Sequence, residues 1–265
     1  MDELICDILL FFATVTEFEQ LKAGAAELGI PFDERDDARV GTYFTLGTIG
    51  PNRIRAVKTR MGSFFHQASA SQAIVLRAAS SASAIIQVGM AFGIDRNVQK
   101  HGDVLVSEWV FPYDFRVVEH LNIGEGQPNH YVLDYQRTKR FSPKKSLLKL
   151  LERERSEGKH AFTTHFGGIL SGGSVIRSQV YLRELLRSVT GGAGPGGYVG
   201  GEMEGVGLLA ASEKAKPVWL IVKGVSDFAD DHQLAEVEVR RAEACRNAVR
   251  FVLAALMKAD AVLAE

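Results

Sequence analysis

Residues 198–231 read YVGGEMEGVGLLAASEKAKPVWLIVKGVSDFADD, and this run decides the fold. Glu202 and Glu204 flank Met203 directly after a glycine pair. Met203, Val206 and Ala210 recur at helical spacing, so a helix is expected there. Pro217 cannot continue it, and residues 218–222 are a short unbroken apolar run that suits a buried strand. That strand runs out into Lys223, Gly224, Val225, Ser226 and Asp227, with more acid at Asp230 and Asp231. A polar cluster at the carboxyl end of a buried strand is where open α/β sheets bind ligands. Singly, Glu204 reads as a first-turn helix acid and Asp227 as a turn residue. With a helix and a strand between them, both acids reach one rim.

GGEMEGVG followed by WLIVKGVSDFADD resembles the signature of the purine nucleoside phosphorylase and methylthioadenosine nucleosidase superfamily. Two motifs stand in the right order at the right spacing. The resemblance implies that Met203 and Glu204 hold a ribose and that Ser226 and Asp227 hold a purine. With Lys223-Gly224 ahead of the Ser-Asp pair, the run looks closest to nucleosidase domains that serve as effectors in bacterial immune proteins. The likeness spans nearly the whole chain, weaker before Gly89 and stronger after Gly200. It implies a single domain over residues 1–265 with a three-layer α/β fold, a mixed central sheet flanked by helices. It also implies a homodimer or higher homo-oligomer, and a sensor partner if the domain is an immune effector.

Bulk properties are those expected of a soluble globular protein. Of 265 residues, 46% are hydrophobic and 24% charged, ordinary for a globular chain with a substantial core. A net charge of −1 provides no global field to recruit nucleic acid. The start, MDELICD, is acidic where a secretory leader would be basic. The apolar run at 251–257 is too short to cross a bilayer. Cys6 and Cys245 form no CxxC pattern, which suits a reducing cytoplasm with neither disulfide nor zinc.

The remaining chain alternates strand and helix, so an α/β class with a largely parallel sheet is expected. Strands are expected at 5–12, 35–46, 54–59, 84–88, 102–110 and 163–169. Helices are expected at 14–28, 67–82, 143–156, 179–189 and 232–263, the last one amphipathic and open to a break. Residues 111–142 have mixed charge and little periodicity, long for a loop. Gly192-Ala193-Gly194-Pro195-Gly196-Gly197 matches GxGxxG literally, but it follows a helix and contains a proline, so it reads as a connector.

Several further positions carry candidate chemistry. Glu17 follows the first strand; Thr16 to Glu19 also fits a capping box, which makes Glu19 the helix-capping neighbour. The resemblance gives Glu17 the activation of an attacking water, with Glu19 as the exchangeable alternative. Where the phosphorylases place an arginine and a serine on phosphate, around Gly89, this chain has Gln87 and Met90. Neither is a cation, which favours water over phosphate as nucleophile; Arg60 is the substitute cation that keeps phosphorolysis open. Ser171-Gly172-Gly173-Ser174-Val175-Ile176 resembles the family's purine-stacking loop, with Val175 in the aromatic place and Gly173 in the aspartate place. Phe111, Phe166 or Trp109 could restore the missing aromatic wall. Arg116, His120, Arg137, Lys139, Arg140, Lys144 and Lys145 form a basic stretch suited to a 5′-phosphate or triphosphate.

The implied reaction is hydrolysis of a purine N-glycosidic bond, in an adenine nucleoside or a nucleotide such as ATP. Asp227 is the candidate acid, protonating or hydrogen-bonding N7 of the base, which at neutral pH requires a pKa raised by burial. Glu204 holds the ribose hydroxyls and stabilises the oxocarbenium-like state, and Glu17 takes the water proton, the two-carboxylate logic of glycoside hydrolysis. Lys223 is expected to point away from Asp227. No metal or organic cofactor is required. The alternatives are a phosphate-dependent phosphorylase and a non-catalytic nucleotide sensor.

Overall fold

Five apolar residues in succession form the centre of the molecule: β1 (Ile8–Phe12) is buried along its whole length, as a strand covered on both faces must be. The computed structural model describes residues 3–121, 130–135, 137–192, 196–211, 219–230 and 236–261. Backbone alone is described at 120–121 and 130–132. The calls on Pro217, on Asp231 and on Ala193 to Pro195 of the glycine-rich connector lie outside the described residues, as does the side chain of His120.

After β1 come α1 (Val15–Glu27), β2 (Asp33–Asp37), β3 (Gly41–Ile49), β4 (Asn52–Lys58), α2 (Ser69–Ser80) and β5 (Ala84–Gly93). Then follow β6 (Val104–Pro112), β7 (Val117–Leu121), β8 (His130–Asp134), α3 (Lys145–Glu157), β9 (Thr164–Ser171) and α4 (Gln179–Thr190). The chain closes with β10 (Tyr198–Glu202), α5 (Gly205–Leu208), β11 (Trp219–Asp227) and α6 (Val237–Met257). Nine strands share one sheet in the order β10-β9-β6-β11-β5-β1-β4-β3-β2. β1 runs parallel to β4 and β5, and β5 parallel to β11, whereas β11 and β6 are antiparallel. The sheet is therefore mixed. β10 pairs in parallel with β9 and also antiparallel with β5, which folds the sheet's end back on itself.

Helices cover both faces. α1, α3 and α6 pack on one face, around Leu10, Val88, Val222, Leu151 and Phe251. α2 and α5 pack on the other, around Phe11, Ile85, Ile221, Leu76 and Leu208. A third apolar cluster joins α4 to the β8 end through Leu182, Leu185, Leu133 and Tyr135. No helix among the described residues is long and apolar enough to cross a membrane.

The structure departs from the expected elements where sequence patterns are local. The expected strand at 35–46 is a hairpin, β2 and β3, turning at 38–40 where Gly41 adopts φ +79°. β2 is an edge strand of sequence DERDD, mostly exposed. Residues 111–142 contain the separate β7–β8 hairpin. Residues 198–202 are a strand, and the helix after Met203 is a single turn followed by a 3-10 turn at Leu209–Ala211. β11 continues to Asp227, so Lys223 and Ser226 lie within the strand and not beyond it. α6 runs unbroken.

Candidate active site

Glu17 is placed by the passage from β1 into α1. Thr14 caps the helix: its hydroxyl accepts the Glu17 N–H (3.2 Å), and Glu17 Oε2 accepts the Thr14 N–H (3.0 Å). The capping box is thus Thr14 with Glu17, two residues earlier than Thr16 with Glu19, and Glu19 is exposed. Oε2 also accepts the Ala13 N–H (2.6 Å), and Oε1 reaches across to accept the Met90 N–H (2.9 Å). This crossing needs Gly89. A Cβ there would stand 1.9 Å from Glu17 Oε1. Gly89 and Met90 thereby serve the site through backbone and space, not through side-chain chemistry.

Glu204 arrives from β10 through a tight turn. Glu202, at the strand end, accepts the backbone N–H groups of Glu204 (2.9 Å) and Gly205 (2.9 Å). Glu204 Oε1 then accepts the Gly62 N–H (3.1 Å), while the Ser63 hydroxyl donates to the Met203 carbonyl (2.9 Å). The segment that follows Arg60 therefore rests directly on the Met203-Glu204 pair. Arg60 itself is exposed beside it.

Lys223 ties the acids together. It is fully buried, and Gly89 is its register partner on β5. Its ammonium lies 3.0 Å from Glu204 Oε2, 3.6 Å from Glu17 Oε1 and 3.9 Å from Glu202 Oε2. It points at three glutamates, in keeping with the expectation that it avoids Asp227. Burial opposes charge on Lys223, yet the attraction of the three carboxylates outweighs it and raises its pKa. Burial pushes Glu17 up against the pull of Lys223. Burial likewise pushes Glu202 up, to about 7. Burial also opposes ionisation of Glu204, but Lys223 and the Gly62 N–H outweigh it and hold its carboxyl below the usual range. One cation thus firmly ionises one acid and leaves two protonatable ones beside it.

Asp227 ends β11, half-buried. Its Oδ1 accepts the Ala229 N–H (2.9 Å), and its Oδ2 lies 2.9 Å from Ser226 Oγ, which is also 3.2 Å from the Ala91 carbonyl. A hydroxyl carries a single proton. Ser226 therefore gives that proton either to Asp227 Oδ2 or to the Ala91 carbonyl.

Not every candidate from the sequence joins this group. Arg116 donates to the Tyr113 carbonyl (3.1 Å) and sits by the hydroxyls of Tyr135 and Tyr181, bracing the start of β7 against α4. All three contacts run through one guanidinium nitrogen, Nη1. Val175 is 59% exposed and faces away from the packed interior, whereas Ile176 is buried in the cluster with Leu170 and Ala229. Of the aromatic substitutes, Phe166 lies under Arg155 on the α3 side and Trp109 under Arg140 against Tyr198; Phe111 shares the Ile176 cluster. Gln87 is fully buried and uncharged. Arg137 and Lys139 line a cavity of about 550 Å³ together with Phe64, Phe141, Ser171 and Leu209. Glu202 and Lys223 are the residues here to which motif reading gives no role. A lysine inside an otherwise apolar strand, LIVKGVS, is the signal, since a buried cation requires acids around it.

Comparison with known proteins matches this architecture. The solved methylthioadenosine/S-adenosylhomocysteine nucleosidase from Neisseria meningitidis, in complex with methylthio-immucillin-A, superposes with a TM-score of 0.73 at 17% identity, covering 96% of this chain and 99% of that one. The S-adenosylhomocysteine nucleosidase of Streptococcus pyogenes with 5-methylthiotubericidin gives 0.71 at 20% identity, over 96% and 97%. The Colwellia psychrerythraea nucleosidase in complex with adenine gives 0.72 at 19% identity, over 95% of each. No curated protein sequence matches. The family description "Phosphorylase superfamily" matches residues 7–257, and with this span, and a fold shared along almost its full length, the chain belongs to the phosphorylase superfamily.

Proposed function

We propose that this chain is a single-domain purine nucleosidase, hydrolysing the N-glycosidic bond of an adenine nucleoside or nucleotide to free base and ribose or ribose phosphate. The observation that carries the reading is the meeting of Glu17 and Glu204 on the Lys223 ammonium, at 3.6 and 3.0 Å. Glu204, held ionised, suits the ribose hydroxyls and the developing oxocarbenium charge. Glu17, its carboxyl raised by burial, suits a base that must accept a proton near neutral pH. Water oxygen attacks C1′ as the C1′–N9 bond breaks. The bond's electron pair leaves with the base, Asp227 supplies a proton to N7, and Glu17 takes one from the water.

Hydrolysis is favoured over phosphorolysis because Gln87 and Met90 bring no positive charge to the end of β5. The exposed Arg60 and the cavity-lining Arg137 and Lys139 support a phosphorylated 5′ group, ATP included. Exposed Phe64, Phe65 and Phe115, at 73%, 73% and 66%, support a second copy of the chain on this flank. The Lys223-Gly224-Val225-Ser226-Asp227 run supports an antiviral effector role in the cytoplasm, under a sensor partner. Retention of all three acids argues against a non-catalytic sensor.

The test is incubation with ATP, AMP and adenosine, with and without phosphate, followed by chromatography of the products. Free adenine with ribose or ribose phosphate, independent of added phosphate, is the expected result. Ribose 1-phosphate would replace the reading with phosphorolysis.

A further inference from the structure

Phe92, which no motif singled out, occupies a telling position. It is the register partner of Asp227 across β5 and β11, and of Gly201 across β5 and β10. Its ring is 92% covered and belongs to the cluster of Ile176, Leu170 and Ala229. The ring lies flush on Gly201: a Cβ there would stand 2.2 Å from Phe92 Cζ. The glycine pair before Glu202 therefore opens space for an aromatic ring. That ring stands between the strand carrying Asp227 and the strand delivering Glu202-Met203-Glu204.

We infer that Phe92 is the aromatic wall of the base pocket and a determinant of base affinity. The inference rests on the proposed function in taking Asp227 as the group that meets the base. Two groups of a purine nucleoside are then fixed in space, the base edge by Asp227 and the ribose by Glu204. The base bridging them passes the Phe92 ring. Val175, in the aromatic place of the stacking loop, faces outward at 59% exposure and brings no ring of its own. Phe92 supplies from the sheet side what the loop lacks. Stacking on an aromatic tolerates any base and adds affinity without touching the bond that breaks, so its loss falls on binding and leaves chemistry alone.

The experiment compares wild type with Phe92→Leu, which keeps bulk and removes the ring, and with Phe92→Tyr, which keeps the ring. Free adenine is titrated by calorimetry, and kcat and KM are measured with AMP and adenosine. For Phe92→Leu we expect adenine affinity to fall and KM to rise by about 10-fold or more, with kcat within about 3-fold of wild type. Phe92→Tyr keeps the aromatic face but adds a hydroxyl on Cζ, against Gly201, so its adenine affinity should lie between wild type and Phe92→Leu. Gly201→Ala, which pushes the ring aside, should reproduce the Leu variant's weaker adenine binding with the Phe92 side chain intact. Unchanged adenine affinity and KM in a folded Phe92→Leu protein overturn the inference. If wild type binds adenine but releases no base from any nucleoside, the proposed hydrolysis falls, and the binding arm still judges Phe92. If wild type binds no adenine, both fall.

Discussion

The Lys223 ammonium and the Glu204 carboxylate face each other at 3.0 Å, both on side chains with almost no exposed surface. Such a pair is costly to split, because removing one partner strands the other in a medium that cannot solvate it. Here the stranded charge is shared with Glu17 and Glu202. Lys223→Met should therefore destabilise the protein by roughly 3–5 kcal/mol and abolish base release. Urea denaturation checks the first and the product assay the second. A stable Lys223→Met protein would mean that the cluster gives up its charge at little cost.

Glu202 predicts a pH dependence with a definite sign. Its folded pKa is raised from 4.5 to about 7, so the folded protein holds a proton that the unfolded chain has released. Stability from this group falls as pH rises from about 4.5 to about 7. Glu204 acts oppositely: its depressed pKa contributes stability above the unfolded carboxylate range, lost as pH falls through the folded value. Glu202→Gln should lessen the decline between pH 5 and pH 7, with the raised Glu17 keeping its own share, while leaving the acid-side loss in place. Denaturant midpoints across that range decide it.

Gly89→Ala tests the seat of Glu17. The added methyl would meet Oε1 at 1.9 Å, and a carboxylate held by three backbone N–H groups cannot yield without surrendering one. We expect kcat to drop about 10²-fold or more, in the range of a lost general base. Far-ultraviolet circular dichroism should stay unchanged. Wild-type turnover in this variant would remove Glu17 from the chemistry.

Glu204→Gln keeps the shape and removes the charge opposite Lys223. Base release should fall about 10²–10⁴-fold, while free adenine still binds. Loss of adenine binding together with turnover would point to collapse of the pocket in place of a missing charge.

The sequence made the acids visible and left their meeting place hidden. Glu202-Met203-Glu204 and Ser226-Asp227 were readable because each motif is contiguous and lies beside a buried strand. The α/β class and most helices were readable from period and punctuation. The capping register was misread because Thr14 and Thr16 each have a glutamate three residues on, and only the packing of Oε1 against Gly89 and Met90 separates them. β10 was missed because YVGGE has weak strand propensity and gains its pairing from β9 and β5, both distant in sequence. Lys223 and Gly224 read as a strand terminus for the same reason: local polarity argued for a turn, while three buried carboxylates made the polar residue welcome inside. The Tyr135 and Tyr181 hydroxyls beside Arg116 were equally hidden, lying 19 and 65 residues away.

The sheet ends, on its β2 side, in Asp33-Glu34-Arg35-Asp36-Asp37. Among the described residues no further strand pairs along that rim, the usual invitation to aggregation. A neighbour joining there in antiparallel register would set acid against acid at most steps, a repulsion that same-rim pairing cannot relieve. The molecule is thereby steered away from fibrous, strand-by-strand growth.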